Sequence, residues 1–80
     1  MNVAALEKLI KKKPFDPFEI VLSSGDRYVV AHPENCMLLK EAVFVAFATS
    51  PKEMLPDDFA FLSYLHIAAT ERVNGKRKAR

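Results

Sequence analysis

Cysteine occurs once, at Cys36, and glycine twice, at Gly25 and Gly75. A single thiol rules out an intramolecular disulfide and leaves a cysteine-based zinc site without its ligands, which fits a reducing, cytoplasmic setting. Two distant glycines cannot build a loop that cradles phosphate. Long apolar runs are missing too. The longest covers residues 42–48, far short of the ~20 residues a helix needs to span a bilayer, so no membrane partner is expected. Near the N-terminus the basic run Lys11-Lys12-Lys13 follows the apolar residues, and Glu7 and Lys8 interrupt them. A signal peptide places its charge first, so secretion is not expected. No Ser-His-Asp order and no carboxylate pair at catalytic spacing is present; Asp57-Asp58 reads as a strand-entry turn, and an enzyme is not expected. His32 and Cys36 stand four apart with Pro33 between them and no further ligands at hand, so neither metal nor other cofactor is expected. Cys36 reads instead as a small buried hydrophobe.

What is abundant is apolar surface. Half of the 80 residues are hydrophobic, and a domain of this size buries a smaller fraction of its surface than a larger one. The surplus predicts self-association or a partner surface, the usual supplement for a small scaffold without disulfides. The formal charge of +2 conceals a layout. Residues 1–13 hold four bases and one acid, residues 14–73 four bases and nine acids, and residues 74–80 four bases, giving +3, −5 and +4.

Val3, Leu6, Leu9 and Ile10 recur at helical spacing and predict an amphipathic helix over 3–13, ended by Pro14. Phe15-Asp16-Pro17 forms an extended connector. From Phe18 the period becomes two, and Ser24-Gly25-Asp26 supplies a tight turn into a return strand over 27–32. Pro33-Glu34-Asn35 is a loop signal. A long strand is predicted over 36–49, with a break near Lys40-Glu41 as the option the charges suggest and a helix over 40–47 as the competing reading. After the proline-rich loop 50–58 come strands over 59–65 and 66–73, all within a domain of residues 1–73. Residues 74–80 form a basic tail expected to be disordered.

A short helix, a proline connector, a strand closed by a glycine turn, an interrupted middle pair and two final strands is the order found in the Sm-like (LSm/Hfq-like) family. Ile20-Val21-Leu22-Ser23-Ser24-Gly25 resembles the family's first-strand signature. Tyr64-Leu65-His66-Ile67-Ala68-Ala69-Thr70 resembles the Tyr-Lys-His stretch that joins the last two strands in Hfq-like members. Three departures accompany these matches: Tyr28-Val29-Val30-Ala31 lacks the glycine at which the second strand bends, Leu65 stands where a lysine would meet phosphate, and the Arg-Gly pair of other members is absent. The resemblance implies a mainly β fold, a small barrel in which an N-terminal α-helix precedes a strongly bent five-stranded antiparallel sheet. It also implies a homo-oligomeric ring of roughly five to seven copies, the fourth strand of one subunit pairing with the fifth of the next. Ring closure removes exposed sheet edges. Phe59, Phe61, Leu62, Leu65 and Ile67 are expected near that subunit contact.

The resemblance further implies non-catalytic binding of single-stranded RNA, of the RNA chaperone or RNA-processing type. Asn35 lies in the loop after the second strand, where an amide can donate to and accept from a base edge; a turn-forming asparagine is the plainer alternative. Tyr64 and His66, two apart on a strand, would share a face on which a base could stack, or be an ordinary strand aromatic and a hydrogen-bonded strand-end residue. Because the central segment is acidic, phosphate contact falls to Lys8, Lys11, Lys12 and Lys13 on the helix and to Lys76, Arg77, Lys78 and Arg80 in the tail, unless both runs are simply solvated surface. The second function consistent with the sequence is an oligomeric structural or protein-interaction module of the same fold without RNA binding, favoured by the acidic centre and by Leu65.

Overall fold

A computed structural model describes residues 2–50 and 52–73. Helix α1 spans Val3–Lys11, and Asn2 caps it by accepting a hydrogen bond on Oδ1 from the Ala5 N–H at 3.0 Å. Such a cap satisfies one of the unpaired amides of the first turn. Lys8 and Lys11 lie in the last turn, where positive charge meets the carbonyl end of the helix dipole. The helix stops two residues short of the expected 13 because Lys12 is already extended and the residue before Pro14 is pushed away from helical angles.

Six strands follow: β1 Phe18–Leu22, β2 Arg27–Val30, β3 Cys36–Leu38, β4 Ala42–Phe47, β5 Asp58–Ser63 and β6 Ile67–Arg72. The β1–β2 turn is the one read from the sequence. Gly25 sits at φ +99°, its N–H donates to the Leu22 carbonyl at 2.9 Å, and the Leu22 N–H donates to the Asp26 carbonyl at 2.9 Å. The strands form two three-stranded antiparallel sheets, ordered β2-β1-β6 and β3-β4-β5.

This corrects the expected single bent sheet of five strands. Residues 36–49 are not one strand. They fold back at 39–41, where the Leu39 N–H donates to the Ala42 carbonyl at 2.9 Å, so the charged Lys40-Glu41 pair becomes a hairpin turn. Between β2 and β3 the chain makes a 3-10 turn over Pro33–Asn35. Proline has no N–H to give a ladder, which interrupts pairing at the junction. Among the described residues no strand of one sheet is hydrogen-bonded to a strand of the other, so the barrel is not closed.

One core fills the space between the sheets. Phe18, Ile20, Val30 and Ile67 enter from the first sheet, Cys36, Val43, Val45 and Leu62 from the second, and Leu6 from the helix. Each such side chain contributes about 1.5–3 kcal/mol of burial. Arg72 holds the connector down through an ion pair with Asp16 at 3.0 Å. The chain crosses from β5 to β6 through a second 3-10 turn, Tyr64–His66.

Candidate interaction surface

In β4 the sequence Ala-Val-Phe-Val-Ala-Phe is apolar at every position, yet a strand has two faces. Val43 and Val45 point into the core and are fully buried, which turns Phe44 outward. Across the sheet Phe44 lies opposite Phe61 on one side and Met37 on the other, while Ala46 lies opposite Phe59. In β5 the inward residue between the two phenylalanines is Ala60, and Leu62 continues the buried side. The second sheet therefore presents a continuous apolar outer face.

Three rings dominate it. Phe44 lies 5.4 Å from Phe59 and 5.3 Å from Phe61 between ring centroids, and Phe59 meets Phe61 edge to face at 6.0 Å. These separations are those of favourable aromatic pairs. Nevertheless Phe59 remains 57% exposed, Phe61 61% and Met37 58%. The strands of this sheet contain no lysine or arginine and one acid, Asp58, at the start of β5. Contiguous apolar patches on protein surfaces are often contact sites.

The residues predicted as base contacts are not brought together in one site. Tyr64 is buried, and its hydroxyl donates to the Leu39 carbonyl at 2.6 Å. Burial pushes its hydroxyl pKa up, and the ring is a wall of the core. The expectation that Tyr64 and His66 share a strand face fails because residues 64–66 form a 3-10 turn; Tyr64 turns in and His66 faces solvent. Half-buried Asn35 ends the 33–35 turn and donates its backbone N–H to the His32 carbonyl at 3.0 Å. It lines an open cleft of about 410 Å³ between β2, β4 and the following loop, with Arg27, Tyr28 and His32. Neither Tyr64 nor His66 borders that cleft.

The predicted subunit-contact residues divide. Leu62 and Ile67 belong to the core, whereas Phe59, Phe61 and Leu65 are exposed, Leu65 at 89%. Lys8, Lys11 and Lys12 surround a shallow hollow on α1 with Ala4 and Glu7, and Lys11 is ion-paired with Glu7 at 3.1 Å. Lys13 lies beside Pro14 at the helix exit, in a second shallow hollow lined also by Ile10 and Phe15. Lys76, Arg77, Lys78 and Arg80, and with them the predicted disordered tail, lie outside the described residues.

Burial pushes the Cys36 thiol up to about 11, so the thiolate is suppressed at neutral pH. Among the described residues no three His, Cys, Asp or Glu side chains are grouped to hold a metal ion, and no helix is long and apolar enough to cross a membrane. Met37, Phe44 and Leu39 are the surface residues that sequence reasoning missed. Because every residue of β4 is apolar, no alternation in the sequence marks its outer side. No known protein family, curated protein or solved structure matches this chain.

Proposed function

We propose that the protein is a non-catalytic self-assembling module that works by protein contact. The observation that carries this reading is the exposed aromatic face of the β3-β4-β5 sheet, where Phe44, Phe59 and Phe61 meet one another and no cation accompanies them. The two sheets joined by a break after β2 support an Sm-like arrangement in which the long second strand of that fold is represented by β2 and β3 together. In such an arrangement β5 and β6, each with an edge left unpaired among the described residues, supply the strand contacts of a ring of roughly five to seven copies. Mass in solution by light scattering tests the reading. A multiple of the 9.0 kDa chain is the expected result, and a monomer at high concentration rejects it.

A second reading is single-stranded RNA binding, for which the helix supplies the specific observation. Lys8, Lys11 and Lys12 share one exposed hollow, and neutralising phosphate is what nucleic-acid affinity chiefly requires. Filter binding to oligo-U and oligo-A at two salt concentrations decides it. Binding at low salt that Lys8→Ala with Lys12→Ala weakens supports RNA; no binding at low salt removes it.

A further inference from the structure

We infer that the outer face of the β3-β4-β5 sheet meets the same face of a second copy about a two-fold axis. This rests on the self-assembly reading and adds a contact distinct from the β5 and β6 strand edges.

Size is the first argument. With large apolar side chains taken at ~200 Å², the exposed parts of Phe59, Phe61, Met37 and Leu39 offer about 400 Å² per copy. Two faces thus bring about 800 Å², and the partly buried Phe44 with the small residues around it carries the total towards the ~1,000 Å² that a specific interface needs. The face is also chemically suited to a copy of itself. It is apolar and its strands carry no cation, so it addresses neither a phosphate chain nor an acidic peptide, and two such sheets pack well at ~10 Å. Residues 74–80, Asn-Gly-Lys-Arg-Lys-Ala-Arg, are too polar to cover it.

Light scattering of the full chain and its variants tests the contact. Phe59→Ser with Phe61→Ser should halve the mass while circular dichroism keeps its strand signature. Should that variant not fold, Met37→Lys gives its own answer: an unpaired charge placed on the shared face should raise the dissociation constant about tenfold. A mass unchanged by all these substitutions overturns the face-to-face contact and leaves self-assembly through another surface. A wild-type monomer overturns both. Oligo-U binding that the Phe variant abolishes without a change in mass also overturns it and turns the face into a base-stacking platform.

Discussion

The two sheets share one core but finish their outer faces in different ways. On the β2-β1-β6 sheet, Glu19 and Glu71 stand directly opposite each other on neighbouring strands, a pairing that like charge makes unfavourable. Arg27 from the third strand resolves it, reaching both carboxylates at 3.0 Å. Hydrogen bonding to Glu71 and then to Glu19 raises the pKa of its guanidinium further. That face settles its charge internally. On the β3-β4-β5 sheet the corresponding positions are phenylalanines and a methionine, which no described residue covers. A small sandwich can thus be complete on one side and unfinished on the other, and the unfinished side is where function is to be sought.

The strongest test of this contrast asks whether the sheets are one unit beneath their different surfaces. Ile20→Ala in the first sheet and Leu62→Ala in the second should each cost about 2–5 kcal/mol, with a single unfolding transition in urea. Two separate transitions would break the picture of a shared core. Tyr64→Phe removes the hydroxyl bond to Leu39 and should cost about 1 kcal/mol in the same experiment. Unchanged stability would mean that the hydroxyl bond to Leu39 contributes nothing net.

A smaller effect distinguishes the rim of the second sheet. The Asp57 carboxylate accepts from the Thr49 hydroxyl at 2.7 Å and from its N–H at 2.8 Å. These bonds hold its pKa below the ordinary 3.8. A depressed folded pKa means stabilisation that is fully present above 3.8 and lost as pH falls through the lower folded value. Asp57→Asn should therefore be less stable than wild type at neutral pH, with the gap closing in acid, as thermal melts across pH can show. Least of all should Arg27→Met matter. Its exposed ion pairs should give a slight loss at low ionic strength that disappears in concentrated salt. A loss that persists in high salt would mean that Arg27 packs as well as pairs.

Much of the framework was legible because local chemistry decides it. Pro14 and the helical spacing before it place α1, and Ser24-Gly25-Asp26 makes the first turn whatever surrounds it. The Lys40-Glu41 hairpin was visible only as an option, since a charged pair in an apolar run marks a break without saying whether the chain continues or reverses. Tyr64 was misread because a period of two was extended through a 3-10 turn, and a one-residue change of phase moves a ring from solvent to core. The exposed aromatic face was hidden by uniformity. When every residue of Ala42–Phe47 is apolar, the sequence cannot say which side is inside; the packing of Val43 and Val45 against the first sheet decides that.

The crossing between the sheets has a consequence for Leu65. Its N–H is held by the Ser63 Oγ at 3.2 Å, and the next residue's carbonyl accepts from the Ser23 N–H at 2.8 Å. The turn is thus fastened on both sides while the leucine itself is 89% exposed. Backbone freedom that a loop would surrender on meeting a partner has already been given up at folding. Leu65 is a prepositioned knob, and a hydrophobic pocket that receives it has only the side-chain rotamer left to freeze.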